Sequence, residues 1–276
     1  MTEIGGSSER LVVPIPGRPA ESVVIAWAAA TDTGRRRVAN EDSYVALSPM
    51  FAVADGMGGH SAGDLASAAV VRRLADAVTG DFAAPRAIER ALEAATADIS
   101  AISKESELGV GTTVTGALLT LQDDEPYFAV FNVGDSRVYA FERNELVQIT
   151  IDHSVVQELV ESGSLTRAEA EHHPDSNIIT RAVGFNSAPV PDFWMVRALT
   201  GLRLLLCSDG LTKEVGDERI RLHLGASLSA TETAGALIDA ALAAGGRDNI
   251  TAIVVDVLDA PAPVIDEDTA PRSPAR

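Results

Sequence analysis

The sequence predicts an α+β fold built as a layered sandwich, and two features of its pattern carry that reading. Four strand-like runs, 112–121, 126–133, 137–141 and 146–150, follow one another with only short polar turns between them. Such runs pair antiparallel, because parallel neighbours need crossovers of a dozen residues or more. Helical periodicity is confined to blocks before and after these strands, which argues against a parallel βαβ sheet.

Residues 1–22 hold Gly5-Gly6-Ser7-Ser8 and Pro14-Ile15-Pro16-Gly17-Arg18-Pro19, a composition expected of a flexible or loosely docked tail. The first strand is placed at 22–31. Ser43-Tyr44-Val45-Ala46-Leu47 and Met50-Phe51-Ala52-Val53-Ala54 flank Ser48-Pro49 as a hairpin. Pairing Leu47 with Met50 carries Asp42 opposite Asp55 at the far end. Two helices follow, one through Leu65, Ala69, Val70, Leu74 and Ala77, the other through Ile88, Leu92, Ala95, Ile99 and Ile102. Among the four central strands, Asp123-Asp124 and Arg143-Asn144 serve as turns. A polar, mostly helical insertion occupies 152–177, with Thr166-Arg167-Ala168-Glu169 as a capping box and His172-His173-Pro174 as its stop. Strands return at 192–197 and 202–208, a helix opens on the capping box Ser229-Ala230-Thr231-Glu232, and 250–257 is the last strand. From 259 onward the alternation of Pro, Ala and charge reads as a disordered tail. No Pro/Gly-rich linker interrupts 23–258, so one domain is expected.

The chain has 22 basic and 40 acidic residues and a formal net charge of -18. Neither nucleic acid nor an anionic membrane suits such a surface. A phosphorylated substrate would need local cations, and these are scarce: Lys104 and Lys213 are the two lysines. Cys207 is the single cysteine, which excludes an intramolecular disulfide and a cysteine-rich zinc site. With no long apolar span and no secretion signal in Met1-Thr2-Glu3-Ile4, a soluble, cytoplasmic protein is expected.

The chemistry-bearing feature is a set of aspartates at strand ends. Asp55 leaves Phe51-Ala52-Val53-Ala54 and enters Gly56-Met57-Gly58-Gly59-His60. Asp209 closes Leu204-Leu205-Leu206-Cys207-Ser208, Asp248 precedes Asn249 and the last strand, and Asp135 sits in Val133-Gly134-Asp135-Ser136-Arg137. Each alone reads as a turn residue; together they suit hard divalent cations. No glycine loop ends in Gly-Lys-Ser/Thr, so a P-loop is excluded. Cys207 lies in an apolar run with Lys213, not arginine, six positions on, which disfavours a cysteine nucleophile. Asp152-His153-Ser154 holds triad residue types, but sequence neighbours do not converge on one atom.

In order along 23–257, these segments resemble the metal-dependent protein serine/threonine phosphatases of the PPM type, also called type 2C. The stretches are Thr31-Asp32-Thr33-Gly34 with Arg37 and Asn40-Glu41-Asp42, then Asp55-Gly56-Met57-Gly58-Gly59-His60, Gly111-Thr112-Thr113, Val133-Gly134-Asp135-Ser136-Arg137 and Asp152-His153-Ser154. They end with Ile179-Thr180-Arg181-Ala182-Val183-Gly184, Cys207-Ser208-Asp209-Gly210-Leu211 and Arg247-Asp248-Asn249-Ile250-Thr251. The variant is similar to the compact bacterial members.

The resemblance implies a four-layer α-β-β-α sandwich, two antiparallel sheets flanked by antiparallel helix pairs. It implies two Mn²⁺ or Mg²⁺ ions bridged by Asp55, with the Gly56 carbonyl on one and Asp209 and Asp248 on the other. Glu41 and Asp42 would act through metal-bound waters, and Asp135 with Asp209 matches a third-metal position. Arg37 would hold the substrate phosphate, a task that suits its planar fork of donors. A hydroxide bridging the two ions would attack phosphoserine or phosphothreonine directly. The implied partners are phosphorylated proteins, Ser/Thr kinases among them, and a monomer is expected. Met57 stands where many eukaryotic members have a histidine proposed as the leaving-group acid, which leaves His60, His153 or a metal-bound water for that task. The insertion at 152–177 resembles the family's flap and is expected to shape substrate access. Two rival readings are a stress-regulatory phosphatase for one phosphorylated anti-sigma antagonist and an inactive pseudophosphatase used as a binding module.

Overall fold

Apolar alternation on both faces of a strand pair is satisfied only when each face is covered, and here it builds two six-stranded sheets stacked face to face. The computed structural model describes residues 1–58, 62–103, 109–170, 173–185 and 189–262. The chain opens with β1 (Glu3–Gly5), β2 (Ser8–Ile15) and β3 (Arg18–Asp32), then forms the hairpin β4 (Ser43–Leu47) and β5 (Met50–Ala54). A two-residue strand β6 (Gly56–Met57) leads to helices α1 (Ala62–Asp76) and α2 (Arg86–Ser103). Next come β7 (Gly111–Thr112), β8 (Val114–Gln122), β9 (Glu125–Val133), β10 (Arg137–Glu142) and β11 (Glu145–Gln148). Helices α3 (Val155–Glu161) and α4 (Arg167–Ala170) precede β12 (Asp192–Arg197) and β13 (Arg203–Cys207). The chain closes with α5 (Asp209–Thr212), α6 (Asp217–Leu224), α7 (Ala230–Ala244) and β14 (Ile250–Asp259).

One sheet runs β1-β4-β5-β8-β9-β12 and the other β11-β10-β13-β14-β3-β2, with β6 and β7 paired separately. Between them lies a core that includes Ile25, Trp27, Phe51, Phe128, Leu204 and Ile253. The outer face of the first sheet packs on α1 and α2 through Val70, Leu74, Leu92 and Ile99. The outer face of the second packs on α5, α6 and α7 through Leu211, Ile220, Leu237 and Ile238. The layers are therefore helix, sheet, sheet, helix. Pairing is antiparallel except between β1 and β4, which run parallel.

The β4–β5 register pairs Leu47 with Met50 and Ser43 with Ala54, so Asp42 and Asp55 leave the hairpin side by side. Asp123 and Asp124 have φ of 52° and 60°, and Arg143 and Asn144 have φ of 51° and 67°. Both pairs are the left-handed two-residue loops that match strand twist in hairpins.

Residues 1–22 are not the tail that their composition suggests. Leu11, Val13 and Ile15 alternate with exposed residues along β2 and cover the inter-sheet core. Pro14 is tolerated because β2 is an edge strand with no outer neighbour to receive an amide. Pro16-Gly17, with Gly17 at φ 77°, makes the tight turn into β3. Between β1 and β2 the chain crosses from one sheet to the other over Trp27, whose Nε1 donates to Gly6 O (2.7 Å) and Ala46 O (3.1 Å). At the other end, β14 extends through Asp259, and Ala260 N donates to Thr200 Oγ1 (2.9 Å), so the expected disorder does not begin at 259. Residues 263–276 lie outside the described residues. Helices α5 and α6 were not expected; both are short, and α6 carries only two fully buried apolar residues, Ile220 and Leu224. Among the described residues, no helix is long and apolar enough to cross a membrane.

Candidate active site

The site forms where β-strand ends and their loops meet at one end of the two sheets. Asp55 is held at both its backbone groups: its N donates to Thr113 Oγ1 (3.2 Å), and its carbonyl accepts from Thr113 N (2.9 Å) and Thr112 Oγ1 (2.8 Å). Gly56 then passes so close to other backbone that a Cβ there would lie 2.1 Å from Gly63 O and 2.7 Å from Glu41 O. Only glycine fits. Asn249 ties the other strands in, its Nδ2 donating to Thr33 O (2.9 Å) and Ala39 O (3.0 Å) while its Oδ1 accepts from Glu41 N (2.8 Å). A Cβ on Gly210 would lie 1.9 Å from Asn249 O, so the start of α5 approaches the Asp248–Asn249 backbone as only glycine allows.

These constraints bring Arg37, Glu41, Asp55, Gly56, Asp135, Asp209 and Asp248 to one cleft of about 420 Å³. Met57, Asn177, Ile179 and Lys213 share its walls. Asp42 alone of the predicted set lies beneath the floor, fully buried. Its Oδ2 accepts from Ser208 Oγ (2.8 Å) and Thr251 Oγ1 (2.6 Å), and its Oδ1 has no hydrogen-bond partner. Arg37 is half exposed and its Nη2 donates to Asp248 Oδ2 at 2.7 Å. Lys213 forms an ion pair with Asp209 Oδ2, while Asp209 Oδ1 is buried and unpartnered. A larger cleft of about 760 Å³ adjoins the first and runs between α3/α4 and α5.

The electrostatics are those of crowded like charges. Burial, then Asp42, Asp209, Asp135 and Asp248 in turn, raise the Asp55 carboxyl well above its ordinary value. Burial raises Asp42 to about 7 against its hydrogen bonds from Thr251 and Ser208, and burial with Asp209 raises Asp135 to about 7. Glu41 is raised by burial and by Asp64. Such a cluster stays ionised at neutral pH only with cations beside it.

The donor set fits hard divalent cations. It is all oxygen, carboxylates plus the Gly56 carbonyl, as Mg²⁺ and Mn²⁺ prefer. Two of its buried carboxylate oxygens, on Asp42 and Asp209, lack any donor. Among the described residues no three His, Cys, Asp or Glu side chains are already drawn into a cage. Arg37 and Lys213 instead hold two of the carboxylates.

Other predicted groups have different work. Asp152 receives Arg137 through Nε (3.0 Å) and Nη2 (2.7 Å), and Ser154 caps α3 by accepting from Gln157 N (3.3 Å). His153 is buried with Nδ1 accepting from Gly134 N (3.0 Å) and Nε2 on Asp192 Oδ2 (3.0 Å). With both nitrogens engaged, His153 is a structural link and not a leaving-group acid. His60 lies outside the described residues. Burial pushes the Cys207 thiol up to about 12, which removes it as a nucleophile. The residues not singled out as functional from sequence are Lys213, Asn177 and the hydroxyl pair Ser208 and Thr251. Only the position of Lys213 one helical turn after Asp209 offered a signal.

The protein phosphatase 2C family pattern matches residues 38–244. The chain belongs to that family. Serine/threonine protein phosphatase PstP of Mycobacterium tuberculosis is 40% identical over 243 residues, covering 86% of this chain and 46% of that protein. The chain thus spans about half the length of that relative. The serine/threonine phosphatase stp of Listeria welshimeri is 38% identical over 239 residues, covering 82% of this chain and 93% of its own. Among solved structures, the PstP catalytic domain in complex with two manganese ions superposes with a TM-score of 0.76 at 38% identity, covering 86% of this chain and 100% of that one. The Mycobacterium smegmatis PPM phosphatase MsPP in complex with cacodylate gives a TM-score of 0.76 at 32% identity, covering 84% and 97%. The protein phosphatase 2C fold expected from sequence is the fold observed.

Proposed function

We propose that this phosphatase 2C member hydrolyses phosphoserine and phosphothreonine in proteins, using Mn²⁺ or Mg²⁺, and that its substrates include Ser/Thr kinases of the same cytoplasm. The observation that carries this reading is the cleft in which Asp55, Asp209, Asp248, Asp135 and Arg37 meet, with Asp209 Oδ1 in its wall and Asp42 Oδ1 beneath it left unpartnered. The PstP structure with two manganese ions supports it as the family's precedent.

Asp55 and the Gly56 carbonyl would hold ions at the hairpin end, Asp209 and Asp248 at the opposite wall, and Asp135 beside Asp209. Glu41 faces the cleft and would act through water. Asp42 would act from beneath, adding charge under Asp55 and positioning Ser208 and Thr251. Two such ions, when bound, lower the pKa of a water and neutralise the phosphoryl oxygens in an in-line displacement. Occupation of Asp248 by an ion would free the Arg37 fork for the phosphate oxygens, the geometry in which guanidinium binds anions most strongly. The adjoining cleft along α3 and α4 would take the peptide around the phosphorylated residue, and the chain would act as a monomer. The test is hydrolysis of a phosphothreonine peptide with Mn²⁺ and with chelator. Turnover that needs the metal is expected; binding of the peptide without turnover at any metal concentration would favour the pseudophosphatase reading instead.

A further inference from the structure

Among the described residues Lys213 is the one lysine; the chain's other lysine, Lys104, lies outside them. It follows α5, its amide donating to the Asp209 carbonyl at 2.8 Å, so its side chain returns over the same turn to pair with the Asp209 carboxylate. The turn cannot drift away. Glu214 is tied to Arg247 through that residue's N (3.0 Å) and Nε (2.8 Å), and Arg247 Nη2 donates to the Lys213 carbonyl (3.3 Å). Lys213 also stands on the saddle between the two clefts, lining both together with Asp135, Asn177, Asp209 and Asp248.

A charge count shows what this cation does. Glu41, Asp55, Asp135, Asp209 and Asp248 line the cleft and Asp42 lies below it, while Arg37 and Lys213 are the cations that pair into it. Formally, six carboxylates against two cations leave four negative charges, the charge of two divalent ions. Removing Lys213 would leave five and expose both Asp209 oxygens beside Asp135.

We propose that Lys213 is a tethered competitor for divalent cations at the Asp135–Asp209 side of the cluster, so that the site holds two ions and admits a third only by displacing the ammonium. This rests on the metal-dependent reading above. Lysine is suited to the task because its charge is compact and its stem flexible, so it neutralises a carboxylate without fixing a bidentate geometry.

The experiment is a Mn²⁺ titration of the full chain, following bound metal by calorimetry and by electron paramagnetic resonance, for wild type, Lys213→Met, Lys213→Gln and Lys213→Arg. Wild type and Lys213→Arg are expected to bind two ions. Lys213→Met and Lys213→Gln are expected to bind a third, or to tighten the weakest site about tenfold, as loss of one competing charge at contact distance predicts. Using two neutral variants guards against misfolding of one, and circular dichroism checks each. Stoichiometry and affinities equal to wild type in the neutral variants would overturn the proposal while leaving metal dependence standing. A wild-type chain that binds no Mn²⁺ would overturn both.

Discussion

Two sets of carboxylates in this molecule have opposite surroundings. Around the sandwich, acids face arginine forks. Asp256 receives Arg203 through Nε (2.6 Å) and Nη2 (2.8 Å), and Glu125 receives Arg197 (2.8 Å) and Arg18 (2.9 Å). Arg197 and Arg18 accordingly hold the Glu125 carboxyl below its ordinary range. At the end of the sheets, Asp42, Asp55, Asp135 and Asp209 crowd together with only Lys213 paired among them, and burial drives Asp42 and Asp135 up to about 7. The first set is complete within the chain and holds the fold. The second carries an excess of negative charge that, on the proposed reading, divalent cations would balance.

The largest effect that would sharpen this contrast is on turnover. Asp209→Asn removes a cleft carboxylate without creating a cavity, and relieves repulsion at Asp55 and Asp135. Phosphopeptide hydrolysis at saturating Mn²⁺ should fall by at least about a hundredfold, the scale on which even outer-shell changes act. The metal-free melting temperature should not fall. Near-wild-type turnover would remove Asp209 from the metal site.

The complementary change lies in the first set. Arg203→Met leaves the half-buried Asp256 without its fork and also strips donors from Leu224 O (2.9 Å) and Leu228 O (2.8 Å). Losing these charge-assisted hydrogen bonds costs about 2 kcal/mol. Urea unfolding should record that loss, while Mn²⁺ affinity stays as in wild type. A changed affinity with unchanged stability would mean the two sets are not separate.

A smaller effect concerns pH. Asp42 is raised from an ordinary 3.8 to about 7 in the folded chain, so the folded state binds the proton more tightly than the unfolded one. Its contribution to stability is full below about pH 4 and is lost as pH rises through about 7. In the metal-free protein, Asp42→Asn should therefore melt near wild type at about pH 4. At pH 8 it should melt higher, by about 5 °C on the scale for domains of this size. A melting difference that does not grow with pH would show Asp42 already neutralised from within.

How far the sequence reached follows the same division. Asp55, Asp135 and Asp209 were legible because each follows an apolar run beside glycine, and Asp248 because it precedes the last strand; the Leu47–Met50 register placed Asp42 next to Asp55 as observed. A layered α+β sandwich followed from strand blocks set between helical blocks, and the four layers from the family resemblance. The N-terminal strands were hidden because Gly5-Gly6 and the Pro14–Pro19 cluster punctuate 1–22, while the alternation of Leu11, Val13 and Ile15 spans only one short edge strand. His153 could not be resolved from letters, since its two partners, Gly134 and Asp192, lie 19 and 39 positions away. Lys213 gave only a weak signal for the opposite reason: its partner is local, but a lysine one turn after an aspartate is common on any helix.

The central claim is that the cluster is completed by divalent cations, and thermal unfolding of the wild-type chain at pH 8 with and without Mn²⁺ tests it most directly. Ions that bind the folded cluster and not the unfolded chain must raise the melting temperature, by about 5 °C or more at a hundredfold excess over Kd. A melting temperature indifferent to Mn²⁺ and Mg²⁺ at that pH would contradict the account.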